Sequence, residues 1–260
     1  MLFAACFGSC KKESSIQDNA THKSPNLQSS YRIVNGFDFS QFGISHNDFL
    51  AWMDLNNAFS LDDSNRHALA LTYIDGYFGN YTYNQPLNEF LVSVDSVNSW
   101  SDRTIDGNFS SQFLSDQSII SDSMVLFLNK LSDIFFIAGT NDYIPSELNL
   151  SIDSLEDWVV SNYTITIDES SYNCSDGGAM LAICAIAKNS YEYWYNKFDD
   201  GSEGRGILGR IWRAIKIAAC DSYGFVVDGW TDTNGNGTKD TWISTNAVAG
   251  AGERSYNAGH

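Results

Sequence analysis

The chain has 260 residues with 32 acidic and 15 basic side chains, which give a formal net charge of −17. This excess of negative charge repels phosphate backbones, so we expect no nucleic-acid partner. An apolar content of 43% with 14% aromatic residues is typical of a folded protein. No run reaches the roughly 18–20 apolar residues of a membrane span, so none is predicted.

The first ten residues resemble the end of a bacterial lipoprotein signal peptide. A short apolar run ends in Phe7-Gly8-Ser9-Cys10, and two lysines follow at once. Small residues suit a peptidase that binds extended backbone, and the cysteine thiol is the atom that becomes lipidated. The pattern predicts a signal remnant over residues 1–10 and lipidation of Cys10, with Cys6 as a second candidate acceptor. The apolar run is shorter than usual, so we expect Met1 to be an internal start or the sequence to come from a truncated gene product. The alternative is an ordinary disordered N-terminus with two free thiols.

Three further regions are predicted from composition. Residues 11–30 are rich in Ser, Asn and Gln, and too few apolar side chains are present to offset the entropy of ordering, so they are predicted to be a flexible tether. Residues 31–230 are long enough for one domain with a sizeable core. Residues 231–260 are predicted to be an Asn/Gly-rich loop and tail.

Apolar residues recur at helical spacing through most of the body. The strongest periodic pattern is an apolar seam, a row of apolar side chains along one face of a long helix. It includes Phe127, Leu131 and Ala138, which are separated by four and seven residues. Tyr163–Asp168 alternates branched and polar residues, so it is predicted to be a short strand or an extended connector. The predicted helices are Ser45–Phe59, one beginning near Asp63, one beginning at Pro86, Phe113–Ala138, one through Leu155, Gly177–Phe198 and Ile207–Gly229. These elements predict an all-α fold, an irregular multi-helix bundle with one long central helix and a Gly/Asn-rich C-terminal loop region.

A possible calcium loop follows the last predicted helix. Oxygen-bearing side chains at its positions 1, 3, 5 and 9 match the front of an EF-hand-type loop, and Gly237 at position 6 permits the sharp turn. Position 12 is Ile243, so the bidentate carboxylate is missing. The alternative is a turn-rich loop, because Asn-Gly pairs form turns unaided. The candidate Ca²⁺ ligands are Asp232, Asn234, Asn236 and Asp240, and no other cofactor is predicted.

His46 is the candidate for acid–base chemistry. It lies in the stretch Gly43–Leu50, beside Asn47 and Asp48, and Asp221 is a second possible carboxylate partner. No Gly-x-Ser-x-Gly elbow, Walker loop or HExxH is present. The alternative is a structural histidine at the start of a helix.

Three cysteines lie in the predicted body: Cys174, Cys184 and Cys220. Their spacing matches no zinc template. An oxidising compartment permits one disulfide among them but does not demand it.

Two segments resemble an uncharacterised lipoprotein family of Bacteroidota. They are a G-x-x-H-N-x-x-L stretch at Gly43–Leu50 and an A-x-x-D-x-x-G-x-x-x-x-G helix at Ala218–Gly229. The resemblance implies a cell-envelope location as an outer-membrane lipoprotein, and a pairing of the two segments. It implies no activity.

Together these features favour an envelope-anchored lipoprotein with a non-enzymatic body. The body is expected to bind an unknown protein or glycan partner, while an acyl chain on Cys10 anchors the protein in the lipid bilayer. One alternative is an envelope hydrolase that uses His46 with a nearby carboxylate. The other is a secreted toxin-like protein, which the Ala/Gly-rich end favours.

Overall fold

The computed structural model describes residues 32–78, 121–168, 173–198, 207–231, 241–242, 247, 250–252 and 255–256. The predicted all-α fold is confirmed, because helices make up nearly all the regular structure in these ranges. The helices are α1 (Ser40–Leu55), α2 (Asp63–Phe78), α3 (Asp122–Thr140), α4 (Pro145–Asn162), α5 (Asp176–Lys197) and α6 (Ile207–Gly229), with a short 3-10 turn at Ala58–Ser60.

Small antiparallel ladders of two-residue strands accompany the helices. The strand pairs are β1 (Ile33–Val34) with β2 (Phe37–Asp38), β3 (Ile167–Asp168) with β4 (Asn173–Cys174), and β5 (Trp230–Thr231) with β6 (Thr241–Trp242). The β3 strand lies inside the segment that the sequence predicts to be a strand or an extended connector.

The core is built around α5. Its residues 177–188 are buried without interruption, and it packs against α1, α4 and α6. Alanines such as Ala182, Ala185 and Ala187 let the neighbouring helices approach closely. Ser175 caps the helix, since its hydroxyl accepts a hydrogen bond from the backbone N–H of Gly178. The helix predicted over Gly177–Phe198 therefore differs from α5 by one residue at each end.

The long helix predicted over Phe113–Ala138 is not continuous, because it is interrupted at Ser121; residues 113–120 lie outside the described residues. Ser121 has extended backbone, with ψ of 154°, and its hydroxyl accepts from the N–H of Met124 at 3.2 Å. Ser121 is thus an N-cap, and α3 begins at Asp122. The seam itself is confirmed over the described residues, because Phe127, Leu131 and Ala138 are buried.

The predicted bounds of the other helices agree with the structure to different degrees. The helix predicted over Ile207–Gly229 coincides with α6, and α2 begins at Asp63 as predicted. The first helix, predicted over Ser45–Phe59, is α1, which begins at Ser40 and ends at Leu55. The helix predicted to begin at Pro86 lies outside the described residues.

One helix in the described part of the chain, α3, is long and apolar enough to cross a membrane by length and composition, with a mean hydropathy of 1.3. This differs from the sequence prediction that no stretch meets that criterion. Core helices of folded domains meet it too, and 44% of the α3 window is buried against the rest of the protein.

Part of the segment predicted to be a loop and tail packs into the core. Ala247, Ala251, Ser255 and Tyr256 are helical and almost fully buried. At these positions residues 231–260 are continuous with the helical body, which departs from the predicted boundary at residue 230.

Candidate functional site

His46 of α1 and Asp221 of α6 meet in the interior. The imidazole Nε2 lies 3.3 Å from the Asp221 Oδ2 atom, and both side chains are 0% exposed. The structure therefore brings together the two segments of the lipoprotein resemblance. Asp48, the other candidate carboxylate, lies on the exposed side of α1, and its pKa is raised by burial of part of the side chain.

Two serines and a tryptophan complete what we call the Asp221 cluster. Ser190 of α5 and Ser255 both donate hydrogen bonds to Asp221 Oδ2, the second at 2.7 Å. The indole Nε1 of Trp194 donates to the Ser255 hydroxyl at 2.8 Å. The cluster consists of His46, Ser190, Trp194, Asp221 and Ser255, and its carboxylate is the shared acceptor.

The second ring nitrogen of His46 also faces an acceptor. Its Nδ1 lies 3.1 Å from the Asn47 side-chain oxygen, and that amide is oriented by its own donation to the Asn189 carbonyl at 3.1 Å. Each ring nitrogen of His46 therefore lies within 3.3 Å of a side-chain oxygen atom.

The cluster is not fully satisfied by the described residues. His46 Nε2 and Asp221 Oδ1 are buried and have no hydrogen-bond partner there. The 3.3 Å contact is consequently a close approach of two groups without hydrogen-bond alignment. Such unsatisfied buried atoms cost about 1–3 kcal/mol each.

The hydrogen bonds of this cluster are arranged differently from those of a serine hydrolase. A nucleophilic serine donates to the histidine that takes its proton, while the carboxylate holds the other side of the ring. Here Ser190 and Ser255 donate to Asp221 itself, and His46 contacts the same oxygen. In this arrangement the carboxylate is the acceptor for both serines, and neither serine is hydrogen-bonded to the imidazole that would take its proton in a serine hydrolase.

A second buried polar group joins α4 to α5. Lys188 pairs with Asp153 and, at 2.8 Å, with Glu156, and Arg32 Nε lies 3.6 Å from Glu156. Burial raises the pKa of Glu156, although Lys188 and Arg32 oppose the shift. Burial disfavours the Lys188 ammonium, but Glu156 and Asp153 outweigh it and raise the pKa of Lys188. The sequence does not predict this group.

The candidate calcium ligands Asp232, Asn234, Asn236 and Asp240 lie outside the described residues. Their loop is bracketed by β5 and β6, with Trp230 opposite Trp242 and Thr231 opposite Thr241. The β6 strand therefore occupies positions 10 and 11 of the predicted twelve-residue loop. Within the described ranges no group of three or more His, Cys, Asp or Glu side chains is placed to hold a metal ion.

The body cysteines are all free thiols. Cys184 and Cys220 are buried and Cys174 is half-buried. Burial raises the pKa of Cys184 and of Cys174, and nearby Asp176 adds to the shift at Cys174. The disulfide that the sequence permits is thus not formed in this structure.

No family model, no curated protein and no solved structure matches the chain.

Proposed function

We propose that the protein is an outer-membrane lipoprotein, attached through Cys10, whose helical body binds a protein partner without catalysing a reaction. The observation that carries the anchor is the Phe7-Gly8-Ser9-Cys10 sequence with lysines directly after it. Support for a non-enzymatic body comes from the Asp221 cluster, which is the best-assembled polar group described and is closed to solvent. Neither serine in it is hydrogen-bonded to the His46 imidazole.

The anchor is tested by mass spectrometry of the N-terminal peptide from the native host. A diacylglyceryl-modified Cys10 at the start of the mature chain is the expected result. Cys10→Ser should move the protein out of the membrane fraction, whereas Cys6→Ser, the matched control, should not. An unmodified Cys10 in a full-length chain would remove the anchor from the proposal.

An apolar strip on α3 supports the binding proposal. Leu126, Phe136 and Ile137 are each between 45% and 48% exposed. Leu126 and Ile137 are three helical turns apart, so they share one face of α3. The strip is mainly aliphatic, whereas sugar-binding platforms rest on exposed aromatic faces, and the charge of −17 disfavours anionic lipid. A protein partner with an apolar surface is therefore the better match.

Site-specific photo-crosslinking in the native host tests this strip. A crosslinking residue at Ile137 should yield one discrete adduct, and Phe136→Asp should abolish it without lowering the melting temperature by more than a few degrees. The matched control is a crosslinker at Leu55, which is exposed on α1. Equal adducts from both positions, or an adduct indifferent to Phe136→Asp, would contradict the proposal.

We propose in addition that Ca²⁺ binds the loop between β5 and β6. The β5–β6 pairing closes the base of the loop, which favours the convergence of Asp232 and Asp240 on one ion. Calorimetric titration with CaCl₂ should show heat that Asp232→Asn reduces and Asp48→Asn leaves unchanged. Absence of heat together with an unchanged melting temperature would refute the proposal.

A hydrolase is the second candidate, favoured by the 3.3 Å approach of His46 to Asp221. It requires the cluster to rearrange so that Ser190 or a water molecule faces the imidazole. A panel of chromogenic esters and peptides would then be turned over by the wild type and not by His46→Gln or Ser190→Ala. Ser154→Ala, at an exposed position of α4, is the control. Residual turnover that His46→Gln leaves intact would assign the activity elsewhere.

A further inference from the structure

A row of side chains with heptad spacing runs along α3 on the side away from the core. The steps along this row alternate between three and four residues, which is the spacing by which two helices pack along their length. All its members are exposed or half-buried. We call this set the outer row; in chain order it is Ser123, Leu126, Lys130, Asp133, Ile137 and Thr140.

The outer row is symmetric about its centre. Its midpoint lies between Lys130 and Asp133, and Leu126 and Ile137 each lie four residues further out. In an isologous contact, residue i of one copy meets residue j of the other, and j meets i. Two antiparallel α3 helices with a twofold axis at this midpoint would therefore meet in pairs taken from opposite halves of the row.

Every such pair has matched chemistry. Leu126 would face Ile137 of the second copy, so the two exposed aliphatic side chains of the row would cover each other. Lys130 would face Asp133 of the second copy, which sets opposite charges together at the centre. The hydroxyls of Ser123 and Thr140 would form the outermost pair.

The two central charges are available for such a contact. Among the described residues Asp133 has no ion pair, and it is exposed. The Lys130 ammonium lies 4.8 Å from the centre of the Trp158 ring of α4 and has no carboxylate partner in the same part of the chain. A parallel pair of α3 helices would set Lys130 against Lys130 and Asp133 against Asp133. Because like charges in contact are unfavourable, the charges select the antiparallel arrangement.

We propose that the partner of the apolar strip on α3 is a second copy of this chain, and that the two α3 helices pack antiparallel along their outer rows. This inference rests on the protein-binding function proposed above and names the partner for it. The charge of −17 on each copy opposes the contact only weakly, because charges more than about 8 Å apart are largely screened at physiological ionic strength.

The contact is small. Leu126 and Ile137 are about 17 Å apart along the helix axis, and one helix of each copy forms the whole contact. Such a contact is smaller than a standard interface of about 1,600 Å², so the dimer should be weak and concentration-dependent. The proposed lipid anchor would confine both copies to one membrane, which raises their effective concentration.

Photo-crosslinking with two tagged copies identifies the partner. The full-length protein is expressed in the native host in two forms with different epitope tags, each with the crosslinking residue at Ile137. The adduct should contain both tags, have the mass of two chains and join position 137 to the peptide that contains Leu126.

The other outcomes separate this proposal from the protein-binding function. A discrete adduct with one tag and a different protein would reject the second copy as the partner but leave the binding function intact. A crosslink within one chain, or no adduct, would reject both.

Charge reversal tests the antiparallel pairing. Asp133→Lys and Lys130→Asp each set like charges together, so each variant alone should self-associate at least about tenfold more weakly than the wild type in sedimentation equilibrium. The double variant, and an equimolar mixture of the two single variants, should regain wild-type association, which a folding defect cannot imitate. Asp48→Lys, the same charge change on α1, is the control and should have no effect. Single variants that associate like the wild type, or a double variant and a mixture that both fail to recover, would refute the pairing.

Discussion

Gly43 of α1 lies directly against the Ala185 carbonyl oxygen of α5. A Cβ atom at position 43 would overlap that oxygen and the Asn189 side chain, whose Cγ atom would be 2.6 Å away. Asn189 is held in place because its amide donates to the same carbonyl at 2.9 Å. A backbone atom cannot swing aside, so the two helices pack at this distance only with glycine at position 43.

Gly43→Ala is therefore expected to destabilise the protein. An alanine in a helix interior normally stabilises by about 1 kcal/mol relative to glycine, but overpacking costs about 1–3 kcal/mol. We expect the cost of the overlap with Ala185 to exceed the gain in helix propensity. Urea denaturation measures the net change in the free energy of unfolding. The comparison is Ala51→Gly, an exposed site on α1 where only helix propensity acts. A stabilised Gly43→Ala protein would mean that α1 and α5 can separate at little cost.

His46 and Asp221 should be energetically coupled. Either alanine substitution leaves the other polar side chain buried without this neighbour, and an unsatisfied buried polar group costs about 1–3 kcal/mol. The double variant removes both groups, so its loss of stability should be smaller than the sum of the two single losses by about 0.5–3 kcal/mol. A double-mutant cycle by urea denaturation measures this difference.

Strict additivity of the two losses would show that the 3.3 Å approach carries no interaction. The control cycle pairs His46→Ala with Asp133→Ala, an exposed carboxylate on α3, and should be additive.

The helical fold was predictable because long periodic segments carry their own signal. The bounds of α6 follow from apolar spacing, and Ser121 could have been recognised as a cap because serine is a preferred N-cap residue. The β1–β2 hairpin was missed since two-residue strands have no period. Its turn did have a signal, because Asn35 and Gly36 both have positive φ and Asn-Gly favours such hairpins.

The site was only partly predictable. The sequence offered His46 and Asp221 as candidates, but it could not rank Asp221 above Asp48, since only tertiary packing decides which carboxylate is buried beside the ring. Ser190 shares the helical face of the buried Trp194, a signal that was available. No such signal was available for Ser255, because the glycines of this tail lower its helix propensity and its helical residues are stabilised mainly by packing against the core.

Lys188→Met should be severely destabilising. It leaves the carboxylate of Glu156, which is 3% exposed, with Arg32 at 3.6 Å as its remaining ion pair among the described residues. Breaking a buried ion pair by removing one partner costs about 3–5 kcal/mol. Lys197→Met is the matched control, because its pair with Asp54 is about a third exposed. Exposed pairs contribute about 0–1 kcal/mol. Equal losses in the two variants would mean that burial does not strengthen the Lys188 pair.

The Lys188 group also predicts a loss of stability in alkali. Its pKa is raised in the folded protein, so its contribution is fully present below about pH 10.4, the value of an unfolded lysine, and is lost as the pH rises through the higher folded pKa. The free energy of unfolding, compared between about pH 9 and about pH 11, should fall more in the wild type than in Lys188→Met. Buried tyrosines such as Tyr223, whose pKa burial raises, lower the stability of both proteins equally. Parallel curves for the two proteins would contradict the raised pKa of Lys188.

The thiols of Cys174 and Cys184 should be inert in the folded protein. The thiolate is the reactive form, and burial raises the pKa of both groups. At about pH 8, alkylation by iodoacetamide should be at least about tenfold slower in native buffer than in urea at both positions, as peptide mass spectrometry would show. Cys174 is the more informative residue, because it is half-buried and belongs to β4, where it pairs with Ile167 of β3 in the hairpin. Rapid labelling at Cys174 with slow labelling at Cys184 would mean that this hairpin opens locally while α5 stays closed.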